Sequence, residues 1–269
     1  MTKKLLSLLA TLALSLIGSF TQAEEPYRFG VLNQAPAAET AALWNPILTY
    51  LEKTTGHPFR FAMGPTVQDT DAATARGEYD FVFSNHVFDP ALSQAHYYPL
   101  VQLGGHPLIG QIVVREDSEY KTLQDLAGKQ VAFPSQSAFI AYKVTRYALK
   151  EAEVTIEPVF AASQDGAAVQ LSLGRVVAAS LNKLFADKFR QEGKGKFRVL
   201  YESEAWPNIP VLVHPRVPDQ HVLAVQKALL QMSTDPAGKA VLEKIKHPGF
   251  TAVKDSDYTA TRRLYPMDF

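Results

Sequence analysis

The chain has 269 residues, of which 46% are hydrophobic and none is cysteine. Its 27 basic and 27 acidic residues balance, which argues against a nucleic-acid partner, because proteins that bind polyanions concentrate positive charge on one face. The missing cysteines exclude disulfides, thiol nucleophiles and thiolate metal sites, so a packed core must stabilise the fold.

Residues 1 to 23 have the pattern of a cleaved signal peptide. Lys3 and Lys4 form a basic start, an apolar run follows from Leu5 to Ile17, and Thr21-Gln22-Ala23 is a small-x-small cleavage site. The run is shorter than the ~20 apolar residues of a spanning helix, and no cysteine follows it that could carry a lipid. We therefore expect an exported, periplasmic protein that is neither membrane-embedded nor a lipoprotein.

Beyond the leader, short β-rich runs alternate with amphipathic stretches. Seven runs predict strands: 27–33, 59–63, 80–84, 111–115, 130–133, 176–181 and 197–201. The intervening pattern predicts a helix over 37–53, kinked or restarted at Pro46, whose missing N–H interrupts the backbone ladder. This alternation predicts an α/β fold with mainly parallel sheets covered on both faces.

A second helix is predicted over residues 140–150 from its amphipathic spacing. One expected face is apolar: Ile140, Ala141, Val144, Tyr147 and Ala148. The opposite face is basic: Lys143, Arg146 and Lys150.

Two breaks in the pattern predict crossings between two lobes. Glycines and Pro107 interrupt it over 103–110, and three prolines interrupt it over 205–215 before another apolar strand. The expected lobes are 24–106 with 209–269, which is discontinuous, and 107–208. Because ligands of open α/β sheets bind beyond the carboxyl ends of the strands, we expect the binding cleft between the lobes.

The sharpest candidate site is the turn Ser135-Gln136-Ser137-Ala138, which follows a strand and precedes a helix. The first N–H groups of a helix lack partners and carry partial positive charge, so an oxyanion gains hydrogen bonds there, and serine hydroxyls can add more. The alternative is ordinary capping by Ser135 or Ser137, which the residues alone favour.

Weaker candidates follow other strands, where cleft residues belong. Ser84, Asn85 and His86 come after a buried run, and their alternative is to cap a helix that contains Val87 and Phe88. Three more candidates are Gln164, Asp165 and Asn33. Asp165 by itself is better read as a cap, because a carboxylate repels an anion that has no acidic proton or amine.

Enzyme motifs do not fit this chain. Ser118-Glu119-Tyr120-Lys121 has Ser-x-x-Lys spacing but no companion motif, and Gly-x-Ser-x-Gly, phosphate-loop and His-Glu-x-x-His patterns are missing. The seven histidines never fall at metal-ligand spacing. We therefore expect neither catalysis nor a metal or cofactor.

Four stretches form an ordered pattern over the mature chain: YRFGVL at 27–32, WNPILTYLEKTTG at 44–56, ARGEYDFVF at 75–83 and GQIVVREDSEYKTLQDLAGKQVAFPSQSAF at 110–139. By this pattern the chain resembles the phosphate/phosphite/phosphonate-binding periplasmic proteins of ABC importers. The resemblance implies a two-lobed type II periplasmic binding fold with two hinge crossings and an interlobe cleft. It also implies that the serine-bearing turn meets the ligand.

The function implied by the resemblance is capture of a small phosphorus oxyanion by a monomer that serves an ABC permease. Two alternatives stay open: a sensor that feeds a membrane histidine kinase, and a binder of a different small anion. The chain departs from the family at Ser84-Asn85-His86, at Gln164, where relatives commonly have His, and at Val177, where they usually have Asp. These departures leave the ligand's identity open.

Overall fold

The computed structural model describes residues 25–33, 35–85, 88 and 93–267. Within them the strands are β1 Tyr27–Val31, β2 Phe59–Ala62, β3 Phe81–Phe83, β4 Tyr98–Leu103, β5 Gly110–Arg115, β6 Gln130–Phe133, β7 Glu157–Phe160, β8 Ala178–Asn182, β9 Phe197–Glu202, β10 Pro210–Val213 and β11 Phe250–Thr251. The α-helices are α1 Ala37–Thr55, α2 Val67–Ala75, α3 Thr145–Glu151, α4 Gln164–Ser172, α5 Lys183–Gln191, α6 Asp219–Gln231, α7 Pro236–Ile245 and α8 Thr259–Leu264.

Two sheets divide these strands. The first has the order β11-β4-β10-β3-β1-β2, in which β10 and β11 run against the other four strands. The second has the order β7-β6-β8-β5-β9, in which only β5 is reversed. The α/β class is therefore confirmed, but the prediction of mainly parallel sheets is wrong, because five of the nine neighbouring strand pairs among the described residues are antiparallel and both sheets are mixed.

Each sheet has an apolar core that its own helices cover. In the first, Trp44 of α1 packs on Phe29 and Phe83, and the fully buried Leu229 of α6 joins the same cluster. The second sheet has a cluster on each face: α4 contributes Ala168 and Leu171 to one, and Leu149 of α3 belongs to the other. Burial of ~25 cal/mol per Å² of apolar surface drives this packing.

The chain passes between the sheets twice, through 104–109 and back through 203–209. The two crossing segments are joined by a pair of backbone hydrogen bonds between Leu108 and Trp206, of 3.1 and 2.8 Å. Six or seven residues span only about 20–25 Å when fully extended. The strands entered after each crossing, β5 and β10, are also reversed relative to their neighbours. The carboxyl edges of the parallel strands in the two sheets therefore face each other.

Three strands that the sequence pattern does not predict each contain a proline. Pro158 lies in β7, an edge strand, and Pro99 lies in β4 where the pairing with β10 shifts register. Pro210 is the first residue of β10, inside the segment expected to be only a break. Edges, bulges and first positions are where a sheet tolerates the missing proline N–H.

The first predicted helix is found but does not restart at Pro46. It is one α-helix, α1, with Pro46 inside. The carbonyl that loses its hydrogen bond is that of Ala42, four residues earlier, which is exposed and can be hydrated.

The second predicted helix begins as a π-helix over Phe139–Val144 and continues as α3. The wider turn rotates the residues that follow. Tyr147 is therefore exposed, contrary to the predicted apolar face, while Tyr142 and Thr145 are buried. Within the described residues, no helix is both long and apolar enough to cross a bilayer.

The fold generates a prediction about His247, which lies against Phe250 and accepts a 3.0 Å hydrogen bond at Nδ1 from the Gly249 N–H. Burial lowers the pKa of His247 to about 4 from its ordinary 6.5. The folded protein therefore binds fewer protons than the unfolded chain between these values, and stability should fall as pH drops from 6.5 towards 4.

From pH 7.5 to pH 5 this one group should remove about 2 kcal/mol from the free energy of unfolding. Urea titrations at both pH values would measure the loss. His247→Gln keeps an acceptor for the Gly249 N–H but does not titrate. Between pH 7.5 and pH 5 the variant should therefore lose about 2 kcal/mol less of its free energy of unfolding than the native protein loses. An equal loss in both proteins would contradict the assignment.

Candidate functional site

Every described candidate from the sequence follows the carboxyl end of a strand. Asn33 follows β1, and Ser84 and Asn85 follow β3, in the first sheet. In the second sheet, residues 135–138 follow β6, and residues 164 and 165 follow β7. His86 lies outside the described residues. The candidates thus belong to the two edges that the crossings bring face to face.

The serine-bearing turn leads directly into the π-helix without capping it. The residue at the N-cap position is Ala138, which has no side-chain cap, and its N–H donates to the Ser135 carbonyl at 3.3 Å. The two hydroxyls, of Ser135 and Ser137, lie 3.3 Å apart, and neither has another partner among the described residues. Capping, which the residues alone favour, is therefore wrong. Gln136 and Ser137 are exposed, so the turn is open to a ligand.

Asn33 presents an acceptor that has no donor. Its Nδ2 donates to the Gly64 carbonyl at 3.0 Å, which fixes which atom of the amide is oxygen. The remaining atom, Oδ1, is buried and has no hydrogen-bond partner among the described residues. An unsatisfied buried acceptor costs about 1–3 kcal/mol, so a ligand with a proton to donate would be favoured here.

Ser84 and Asn85 hold the end of β3 against neighbouring segments. The Ser84 N–H donates to the Pro210 carbonyl at 3.2 Å, and the Asn85 carbonyl accepts from the Phe88 N–H at 2.8 Å. The Asn85 amide Nδ2 lies 3.5 Å from the hydroxyl of Tyr265 near the end of the chain. That long distance leaves the amide only weakly engaged.

Gln164 fastens α4 to the end of β8. Its Oε1 accepts from the Asn182 N–H at 3.0 Å, which leaves the Nε2 amide as the group that could donate to a ligand. The cap of α4 is Ser163, whose hydroxyl accepts from the Gly166 N–H at 2.9 Å. The assignment of Asp165 as a cap is therefore wrong, and this exposed carboxylate lies in the first turn of α4 instead.

A charged cluster that the sequence does not predict lies at the same edge of the second sheet. Glu202 Oε2, at the end of β9, accepts from Gln111 Nε2 at 2.6 Å and from Lys183 Nζ at 2.9 Å. The hydrogen bond from Gln111, and next the one from Lys183, hold the pKa of Glu202 below its ordinary value. The other amide atom, Gln111 Oε1, is buried without a hydrogen-bond partner in the described part of the chain.

The aromatic groups at the crossing were also missed. Trp206 is nearly buried, and its Nε1 has no acceptor within the described ranges. Its ring meets that of Phe139 edge-on, with the ring centroids 5.4 Å apart. Phe139 directly follows the serine-bearing turn and also contacts Phe88 of the first half at 5.0 Å. The sequence offers one signal for this group, which is the position of Trp206 inside the proline-containing break at 205–215.

A surface cavity lies away from the candidate residues. A cavity of about 590 Å³ adjoins the opposite edge of the second sheet and is lined by Arg115, Glu116, Asp117, Ser172, Lys194, Gly195, Lys196 and Phe197. Among the described residues, no three His, Cys, Asp or Glu side chains could hold a metal ion together.

A family model and solved structures match this chain. Residues 29–258 match the family model for the periplasmic substrate-binding protein of ABC phosphonate transporters. No curated protein matches the chain.

Many solved structures match this chain, and three of them illustrate the shared fold. A Xanthomonas citri protein bound to chloride ion has a TM-score of 0.75 at 17% identity, covering 89% of this chain and 95% of that one. PhnD1 from Prochlorococcus marinus in complex with methylphosphonate has a TM-score of 0.71 at 12% identity, covering 88% and 96%. A binding-protein component of an ABC phosphonate transporter from Pseudomonas aeruginosa has a TM-score of 0.69 at 16% identity, covering 89% and 85%. These likenesses confirm the two-lobed type II periplasmic binding fold expected from the sequence.

The uncapped turn generates a prediction for Ser135→Ala combined with Ser137→Ala. Because neither hydroxyl caps a helix, the free energy of unfolding should change by under about 0.5 kcal/mol. If each hydroxyl donates to an anion, methylphosphonate affinity should fall by ~1.5–3 kcal/mol per bond lost. Urea unfolding and calorimetric titration would measure the two effects.

Ser163→Ala is the matched control, because it removes a hydroxyl that does cap a helix. It should cost ~1 kcal/mol of stability. A double serine variant that unfolds as early as the control but binds normally would show that the turn serves the fold only.

Proposed function

This chain belongs to the periplasmic substrate-binding proteins of ABC phosphonate transporters, and on that premise we propose that it captures a phosphorus oxyanion between its two sheets. The ligand is a phosphonate, phosphite or phosphate ion. The captured ligand passes to the ABC permease of the same system. Within this family, binding without chemical turnover is the general activity.

The observation that carries the proposal is the uncapped turn at residues 135–138. The first N–H groups of the helix that follows have no side-chain cap, and two hydroxyls lie beside them. Such N–H groups and the helix dipole favour an anion without needing a lysine. Oxyanion oxygens accept from N–H and O–H donors, so the turn supplies the donor half of a site.

The acceptor half is supplied by the opposite sheet, and it narrows the ligand class. Asn33 Oδ1 requires a donor, and a monoprotonated phosphonate or phosphate has one P–OH group. Sulfate and sulfonates carry no proton near neutral pH. A ligand without a proton would leave the buried Asn33 oxygen without a hydrogen bond, and binding sites discriminate strongly against such ligands.

The lobes proposed to close on this ligand are 24–106 with 209–269, and 107–208. Sheet membership supports the division, because β1 to β4, β10 and β11 belong to one sheet and β5 to β9 to the other. Closure would be a hinge motion in the crossing segments, as in other two-lobed binding proteins. We propose further that the mature protein is a monomer, so that the cleft stays accessible.

The family places the protein in the periplasm. We propose that it arrives there by export and cleavage after Ala23. This proposal rests on the basic start, the short apolar run and the small-x-small site within residues 1–23. Mass spectrometry of the protein recovered from the periplasm would read the mature N-terminus directly.

A ligand panel tests the proposal. Thermal melting of the mature protein would be followed with phosphate, phosphite, methylphosphonate, aminoethylphosphonate, sulfate and carboxylates, because a ligand that binds the folded state raises the melting temperature. At least one phosphorus oxyanion should raise it, and sulfate should not. A response to sulfate or carboxylates alone would overturn the assignment of ligand class.

A second prediction concerns Gln164, where relatives commonly have histidine. Its amide Nε2 offers a neutral hydrogen bond, whereas a protonated histidine offers a charge-assisted bond about twice as strong. Gln164→His should therefore strengthen phosphite and methylphosphonate binding at pH 5 relative to pH 8, over and above the native change. The ratio of dissociation constants at the two pH values would measure this.

The native protein controls for titration of the ligand itself, since glutamine does not titrate in this range. Unfolding of the variant must also be followed, because Gln164 Oε1 accepts from the Asn182 N–H. If affinity and its pH dependence are unchanged for every ligand that binds, Gln164 does not contact the ligand.

A further inference from the structure

The last described residues of the chain, 258–267, run from one half of the molecule to the other. This C-terminal segment begins at Tyr258, which is fully buried and whose hydroxyl donates to the Asn208 carbonyl in the second crossing at 2.5 Å. Thr261 and Leu264 of α8 are buried as well. The segment is thus anchored on the crossing before it reaches the edge of the sheets.

Tyr265 contacts the candidate site from both sides. Its ring lies 6.2 Å from that of Phe88, which follows the end of β3, and 5.9 Å from that of Phe139, with the second pair close to parallel at 27°. Its hydroxyl lies 3.5 Å from the Asn85 amide. Phe139 immediately follows the serine-bearing turn. One side chain therefore bridges the candidate residues of the first sheet and the turn of the second.

Beyond Tyr265 the segment reaches the second half directly. Lys143, on the π-helix that follows the turn, donates from Nζ to the Met267 carbonyl at 2.7 Å. The segment is therefore tied to the crossing, to the end of β3 and to the helix that begins at the turn. Phe88, Phe139, Trp206, Tyr258 and Leu264 belong to one apolar cluster shared by both halves.

We propose that residues 258–267 are a strap that holds the two carboxyl edges together before ligand arrives, and that Tyr265 is its positioning residue. The proposal rests on the proposed function, because the edges that the strap joins are those of the proposed ligand site. A protein held closed loses less freedom when it binds, so the strap raises affinity without touching the ligand. Its effect passes through Phe139 and Asn85.

Closure can be measured without any ligand. The chain has no cysteine, so introduced cysteines are the only thiols that a dye can label. Glu52→Cys and Lys188→Cys place one exposed thiol in each half, for a donor dye and an acceptor dye. Single-molecule energy transfer then reports the distance between the halves. The ligand-free protein should give one predominant high-transfer population, and Tyr265→Ala should move it to lower transfer.

Affinity provides the second readout, with inorganic phosphate and methylphosphonate as probes. Tyr265→Ala loses two aromatic contacts, each of which corresponds to about a two- to tenfold change in an equilibrium constant. The dissociation constant should rise by about tenfold. Tyr265→Phe keeps the ring and should stay closed, which separates packing from the hydroxyl. Tyr147→Ala removes an exposed tyrosine from α3 and should change neither readout.

A milder variant covers the case in which Tyr265→Ala does not fold. Lys143→Met removes the donor to the Met267 carbonyl and should lower energy transfer in the same direction, whereas Lys129→Met, at an exposed position of the same half, should not. Native transfer in both strap variants would overturn the strap. If neither probe binds the native protein while the strap variants still open, the ligand assignment fails and the strap stands.

Discussion

The pairing of the two crossing segments is the constraint on which the rest of the structure depends. Leu108 and Trp206 exchange both backbone hydrogen bonds, so the two connections leave the sheets side by side. Each connection is too short to run around a sheet. A chain that leaves the carboxyl edge of one sheet must then enter the other at its carboxyl edge, which makes the entering strand antiparallel to its neighbours. The reversal of β5 and β10 and the convergence of the candidate residues have this single cause.

The two edges differ in chemistry, and the difference favours one class of ligand. The second sheet offers donors: helix N–H groups, serine hydroxyls and the Gln164 amide. The first sheet offers the Asn33 oxygen, which needs a proton. An ion that accepts through several oxygens and donates through one satisfies both edges. In the proposed site no candidate residue is an arginine or lysine, and backbone donors would hold the anion instead, since they are fixed in place and lose little freedom.

Much of the fold follows from local sequence, but less of the site does. Strand and helix alternation and the two breaks follow from hydrophobic period and from prolines, which act within a few residues. The strands containing Pro99 and Pro158 were missed because a proline's tolerance depends on being at an edge or a bulge, and that depends on sheet order. The cap of α4 was given to Asp165 rather than to Ser163 because either residue type caps a helix. Tyr265 could not be predicted at all, because its partners lie 126 to 180 residues away and no short-range pattern encodes such contacts.

The polar atoms left without partners show why closure and binding are coupled. Asn33 Oδ1, Gln111 Oε1, Trp206 Nε1 and Thr261 Oγ1 are buried and have no hydrogen-bond partner among the residues that the structure describes. They lie at the facing edges, at a crossing segment or in the C-terminal segment. A buried polar atom without a partner costs about 1–3 kcal/mol, and the aromatic contacts around Phe139, which join the two halves, oppose that cost. With the proposed strap the aromatic contribution is the larger one, so the closed form predominates before ligand binds, and the cost of the unpaired atoms keeps the open form populated as a minor state. A ligand that pairs even one of these atoms stabilises only the closed form. The same groups that make the unliganded cleft costly to close therefore make the liganded cleft costly to open.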